Sequence, residues 1–491
     1  MARVPLPIAQ GFYVDESVPV SGQQCVNLFP HIPQTKTITD AAVIGSSGID
    51  LGVNGLTSSP PRGIHVMSGV VYYVQDNKLF YVDYVEDTFG NRTYDYHLAS
   101  ATIINGTSYV LMADNGDQLM IACPDYNNTK NVYIYTASTT TLVQVTDVDF
   151  IGRVNFGCYM DGYFIYSKYN SNEFFISDLR DGLAYNALDF SSAESDPDNI
   201  VALAPLNGLL YIFGTVTAEQ WQNVSNGAGF PFVETTSGNL QKGCLAPLSL
   251  IEANANLYWI GGGKNEQSAV WMTNGGDLQK ISTPAIDVLI NSGGTQILAQ
   301  AVANTWSSNG HTFLTFKVPN VCCVKYDLTT GLWTTAESKD SSGNVIPWRV
   351  NQLVTAYSVL MVTDSIDGRI GVINNKTFTE YGDNISSYFV TPAFDNGGKP
   401  FTINSLELMM ETGTEQISGA GSTPSVRLAI SDNGGRTFYP DISRAMPLTG
   451  DFTTRISWDL LGRYSRSVCF KISIDEPIKK VFVKGEIDVG N

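Results

Sequence analysis

Short runs of consecutive apolar residues, each closed by a polar turn, recur along the first four-fifths of the chain. The paired runs are 70–74 with 79–82, 109–112 with 119–122, and 163–166 with 174–176. Four more follow: 209–213 with Trp221, 257–260 with 269–272, 313–316 with 321–324, and 359–362 with 370–373. The runs are built from Val, Ile, Tyr, Phe and Trp and bounded by Gly, Asn, Asp and Ser, which predicts β-hairpins rather than helices. Their first strands are apolar at successive positions, so both faces of the sheet are expected to be buried. Hairpins repeating at about 48 residues are the pattern of propeller blades, whose inner strands are covered on both sides by their neighbours. Six or seven blades are expected over residues 62–388.

The pattern changes beyond residue 385. After the turn 395–400, Val426, Leu428 and Ile430 alternate with smaller or polar residues, and Val468, Phe470, Ile472 and Ile474 alternate with Cys469, Lys471 and Ser473. Strict alternation predicts one buried and one wet face, as in a β-sandwich. Residues 389–491 are therefore read as a sandwich-like domain. At the other end, residues 1–61 hold 7 of the 21 prolines. Proline cannot donate to a strand ladder, so this segment is expected to be an extended arm with few regular strands, lying over the propeller or a neighbouring subunit. Helix is expected only near 284–305, interrupted at Gly293-Gly294. The fold class is thus all-β: an extended Pro-rich N-terminal arm, a β-propeller and a C-terminal β-sandwich-like domain.

Composition sharpens this picture. The 491 residues are 43% hydrophobic and rich in aromatics, which excludes a disordered chain. No run of about 18 apolar residues is present, so a membrane-spanning helix is excluded and no stable membrane insertion is expected. Residues 1–7 lack an apolar signal-peptide segment, so assembly in a cytoplasm is expected. The net charge of −18 argues against a protein that grips DNA phosphates as its main task. That charge is uneven. Residues 389–491 carry 11 basic and 12 acidic residues, whereas the remainder carries 18 and 35. The seven cysteines are odd in number and form no CxxC pair, which suggests neither a disulfide framework nor a zinc ribbon.

Chemistry-bearing motifs are scarce. The four histidines have no metal-binding spacing, and no metalloprotease, nucleophile-elbow or P-loop motif occurs. No catalytic, cofactor-binding or metal-binding residue is expected, and no cofactor. The stretch 431–438, SDNGGRTF, looks like a sialidase Asp-box, which is a structural hairpin turn. Glu219 and Trp221 suggest a packed hairpin, with a sugar-stacking platform as the sharper alternative. Arg463, Arg466 and Lys471 form a basic cluster along the sequence that could meet phosphate or an acidic partner, or simply be the wet face of one sheet.

Several stretches together resemble one family. Leu6-Pro7 and Val26-Asn27-Leu28-Phe29-Pro30 come first, then Pro61-Arg62-Gly63-Ile64, Tyr166-Ser167-Lys168 and Phe175-Ile176-Ser177-Asp178-Leu179. The stretch 193–198, the Glu219 hairpin, Gln241-Lys242-Gly243, Gly462-Arg463, Arg466 and Phe470-Lys471 follow in order. In this order the chain resembles the tail accessory, or tail nozzle, proteins of short-tailed bacteriophages, also called packaged DNA stabilisation proteins. The resemblance implies a non-enzymatic virion protein of the tail, assembled in the host cytoplasm. It implies a ring, usually of six copies, below the portal and its adaptor. Such a ring extends the DNA channel, retains the packaged genome until ejection, and holds fibres or spikes and a plug or needle. Double-stranded DNA would pass without specific binding; if such a ring forms, the net charge of −18, otherwise read as serving solubility, leads to the expectation that acidic side chains line the channel. Within this reading Asn27, Leu28, Phe29, Pro30, Glu219, Trp221, Arg463 and Arg466 are the candidate structural or interface residues. The alternative is a propeller glycan hydrolase or glycan-binding protein of a phage tail; a cellular propeller adaptor is a third reading.

Overall fold

The computed structural model of the chain describes all residues except 1, 36, 195, 197, 226–228, 236–237, 414–418, 448 and 491. Ser195 and Pro197, part of the 193–198 stretch above, therefore lie outside the described residues.

Seven blades form a closed ring, each built on antiparallel strands, with four strands in each of blades 1 to 4. Blades 1 to 6 span residues 63–100, 111–144, 154–192, 202–234, 243–280 and 302–335. Blade 7 takes three strands from 350–374 and its outer strand, Gly48–Val53, from the arm. That last pairing closes the circle, because the two ends of the propeller sequence meet within one sheet. The consecutive apolar runs are explained by the ring. In Leu209–Phe213, Leu210 and Ile212 pack between blades 3 and 4, while Tyr211 and Phe213 pack between blades 4 and 5. Likewise Tyr72 and Val74 face blade 2, and Val71 and Tyr73 face blade 7. Every neighbouring pair of blades shares one such apolar cluster, seven in all among the described residues.

The axis of the ring is occupied by protein. A short turn at Pro247–Ser249, inside blade 5, lies against the inner strand of blade 6, and its Leu248 packs into the cluster between blades 2 and 3. Phe156 of blade 3 touches three clusters, including that between blades 4 and 5. Side chains from separate sectors of the ring thus meet across its centre.

The sandwich is made of two sheets around one core. Leu406, Trp458 and Ile487 from one sheet meet Leu428, Phe470 and Ile472 from the other. The alternating residues predicted to face inward do so, but Cys469 and Ser473 on the opposite face are also buried. The turn at Gly434-Gly435 and arm residues Val18 to Gly22 account for part of that cover near Cys469.

The arm departs from expectation. It carries six strands rather than few, and Leu6, Ile8, Cys25, Leu28 and Val43 are part of the sandwich core. Proline is tolerated because of where it sits. Pro5 and Pro30 lie in strands at the sheet margin, and Pro7, Pro19, Pro33, Pro60 and Pro61 lie outside strands. The helix near 284–305 is also shorter than expected. Pro284–Asn291 is capped by the Thr283 side chain, Thr295–Leu298 is a single turn, and Val302–Ser308 is already a strand.

Candidate functional site at the junction of arm, propeller and sandwich

The two domains are joined through the arm. Arm strand Gly22–Val26 pairs with sandwich strand Ser387–Val390, and its Val26 also bridges Thr335 of blade 6. Blade 6 and one sandwich sheet are therefore a single continuous ladder. Asn27 stands at the crossing. It has φ +54°, a left-handed conformation that Asn tolerates better than most residues. Its side-chain amide donates to Glu337 O (2.9 Å) and Ser386 O (2.8 Å), and its Oδ1 accepts from Glu337 N (2.9 Å). One buried side chain thus satisfies three backbone groups of the propeller and the interdomain connection.

Next to Asn27, Leu28 is fully buried in the sandwich core and Pro30 pairs with Val43. Phe29 points the other way, edge-on to Phe313 (5.1 Å between ring centres) and His311 (5.0 Å) of blade 6. His311 Nδ1 lies 2.7 Å from Asp327 Oδ2, and its Nε2 lies 2.9 Å from Nδ1 of His31. Lys325 reaches between the Phe29 and Phe313 rings and donates to Ser46 Oγ at 2.9 Å.

A second buried polar group joins blades 6 and 7. Arg349 Nε donates to Asp364 Oδ2 at 2.6 Å, Lys317 Nζ donates to Ser365 Oγ (2.6 Å) and Val350 O (3.1 Å), and Trp348 Nε1 donates to Glu380 Oε1 at 3.0 Å. Burial dominates these titrations. It pushes Lys317 and Lys325 down to about 8 and Glu380 up to about 7. Lys480, which donates to Ile385 O and Ser387 Oγ across the interdomain connection, is also held at about 8 by burial.

This arrangement fixes geometry rather than making bonds. The cavity beside Phe29, Lys325, Trp348 and Glu380 measures about 30 Å³, room for water but not for a sugar or nucleotide. Burial lifts six of the seven thiols to about 12, so they are poor nucleophiles. Among the described residues no group of three His, Cys, Asp or Glu side chains is placed to hold a metal, and no Ser or Cys is hydrogen-bonded to a histidine.

The other sequence candidates lie elsewhere. Trp221 is buried edge-on to Phe174 (5.0 Å) between blades 3 and 4, and its indole donates to Glu219 at 2.9 Å. It offers no open stacking face to a sugar. Arg463 and Arg466 are exposed along one groove at the far end of the sandwich. Lys471 is not with them; its ammonium lies 4.0 Å over the Tyr388 ring. The Asp-box-like stretch is a hairpin turn, in which Ser431 Oγ and Asn433 Oδ1 accept from Gly435 N and Thr437 N. His31, His311, Lys317, Lys325 and Glu380 were not singled out by sequence. The available signal was two lysines inside the apolar run 313–326.

Comparison with known proteins supplies the family. Residues 4–378 match the family model described as the β-propeller of bacteriophage P22 Gp10, a phage stabilisation family, and residues 387–490 match that of the P22 Gp10 β-sandwich. No curated protein matches. Similar solved structures include the computationally designed Ika8 protein (14% identity, 72% of this chain and 99% of that one, TM-score 0.36). Another is U3-55K (10% identity, 66% and 98%, TM-score 0.36). At that score neither bears on function. The two family matches lie on the two domains described above, and the chain belongs to the phage stabilisation family of bacteriophage P22 Gp10, propeller and sandwich together.

Proposed function

We propose that this chain is a ring-forming part of a short-tailed phage's tail, a nozzle or hub below the portal and its adaptor. In this reading it extends the DNA channel, retains the packaged genome until ejection, and carries fibres or spikes and a plug or needle. The observation that carries the reading is the family match over both domains. The joint supports it: a continuous ladder, the Asn27 bonds and a paired polar interior suit a part that transmits load without bending.

Leu248 and Phe156 reach across the centre of the ring, which supports a conduit outside the propeller axis. In this reading DNA passes between copies arranged in a ring, six by family resemblance. The propeller portion holds most of the net charge of −18. Acidic surfaces facing the lumen would repel phosphates and let DNA slide. Negative-stain images of the purified chain mixed with portal–adaptor rings of the same phage test the placement. An added ring below the adaptor is expected; adaptor rings that stay bare at saturating chain contradict it.

A further inference from the structure

Blade 1 ends in a ribbon with which no third strand pairs among the described residues. Strand Lys78–Glu86 pairs with Val70–Gln75 only through Val82, whereas residues 83–86 and 92–95 pair only with each other. An isolated two-stranded ribbon is marginal in water. This one is braced on one face by Tyr84 and Tyr94 against Tyr357. Its other face has no cover. There Asp83 stands directly opposite Asp95, with Val85 69% exposed beside them. Like charges directly opposite destabilise a strand pair, and neither carboxylate has an ion-pair partner among the described residues. At the tip, Asp87 Oδ1 accepts from Phe89 N and Asn91 N, holding a turn on which Phe89 is 89% exposed.

The far end of the sandwich has the complementary character. An open groove of about 690 Å³ lies between the 431–439 turn and the 460–467 hairpin, bordered by Tyr439, Leu461, Arg463 and Arg466, and by Asp432, whose Oδ2 accepts from the Tyr439 hydroxyl at 2.7 Å. Most arginines of the chain are bonded; Arg463 and Arg466 are exposed and have no hydrogen-bond or ion-pair partner among the described residues. Leu460, at the bulge where the strand register shifts, has φ +59° and is 91% exposed. A leucine in that conformation costs stability, and the bulge aims it into solvent. The groove is lined by sandwich residues alone, at the end remote from the Asn27–Ser386 joint, so it stays open within one chain.

We propose that the blade 1 ribbon of one copy docks in the sandwich-end groove of the next. Arg463 and Arg466 then neutralise the facing carboxylates of Asp83 and Asp95, and Val85 and Phe89 meet Leu460 and Tyr439. The charge match commits the groove to this occupant: the guanidinium forks bind carboxylates bidentately, and the ribbon presents two on one face beside apolar anchors. The contact uses different surfaces on the two partners, so it extends from copy to copy, as a ring requires, rather than ending at a dimer. It rests on the ring-forming reading above and specifies where the copies touch.

The test uses the full chain with Arg463→Glu/Arg466→Glu, with Asp83→Lys/Asp95→Lys, and with all four changes. Association is followed by sedimentation velocity and by copies bound per portal–adaptor ring. Each two-residue variant is expected to weaken copy–copy association at least tenfold, and the four-residue variant to restore it to within about threefold of the parent. All four sites are exposed, so thermal unfolding should not move. Two-residue variants that associate like the parent would overturn the proposed contact and leave the ring reading standing. A parent chain that stays monomeric throughout and loads no ring would overturn both.

Discussion

Asn27 shows how one side chain can define a joint. Its amide is bonded on both sides, and its backbone occupies a conformation costly to most residues. Asn27→Ala leaves three backbone groups near the buried joint without their partner, and a loss of about 3 kcal/mol or more is expected, measured by urea denaturation. The buried lysines act in the opposite sense. In the folded chain Lys317, Lys325 and Lys480 titrate near 8 rather than 10.5, so between those values the unfolded chain binds more protons. Stability must then rise as pH increases from about 8 to 10.5, with the full cost of the buried charge present below 8. Lys325→Met keeps the stem against Phe29 and Phe313 and removes the charge. The rise in unfolding free energy between pH 7.5 and 10, measured by urea denaturation, should shrink by one lysine's share, roughly 1–3 kcal/mol; an unchanged rise would contradict the assignment. Glu380 adds an opposite slope. Its carboxyl is raised from 4.5 to about 7, so its contribution is lost as pH climbs through that window.

At the scale of elements, the blades were legible because burial on both faces leaves a run of apolar residues that no surface strand needs. The count of seven was not fixed by that pattern, since the outer strand of blade 7 lies some 300 residues upstream of its partners, in a segment whose prolines argued against strands. Alternation in 426–430 and 468–474 located the sandwich, yet nothing in those strands disclosed that Leu6, Cys25 and Leu28 complete its core. Phe29 and Asn27 were noticed in the resemblance to the family, and the structure places them inside the chain. The His31–His311–Asp327 chain was missed because its members are 280 and 16 residues apart. The shared core carries a prediction. Residues 387–490 produced alone should lack the dispersed amide NMR spectrum of a folded domain, and adding the 1–45 segment in trans should recover it. A well-dispersed spectrum from 387–490 alone would contradict the structural role of the arm. Ring closure carries another: Ile49→Asp, which places a charge between blades 6 and 7, should cost about 3–5 kcal/mol and expose the 48–53 strand to protease.

At the scale of the molecule, charge and shape lead to one arrangement. In the proposed ring the acidic propeller, crossed near its own axis by Leu248 and Phe156, would serve as a wall element rather than a pipe, and the nearly neutral sandwich brings unpaired arginines to its far end. Identical copies with such unlike ends favour contacts between different surfaces, and those close into rings where the rotation between copies closes. A lumen bounded by acidic faces should also leave the assembled ring without measurable affinity for duplex DNA even at 50 mM salt, checked by electrophoretic mobility shift; binding that weakens steeply with salt would show a basic lumen instead. The most direct measurement of the whole account is a cryo-EM reconstruction of the assembled tail with DNA retained. The account predicts copies of this chain around a central duplex, each propeller closed at its own axis and set beside the channel. Duplex density running through a propeller axis, or one isolated copy beneath the adaptor, would contradict it.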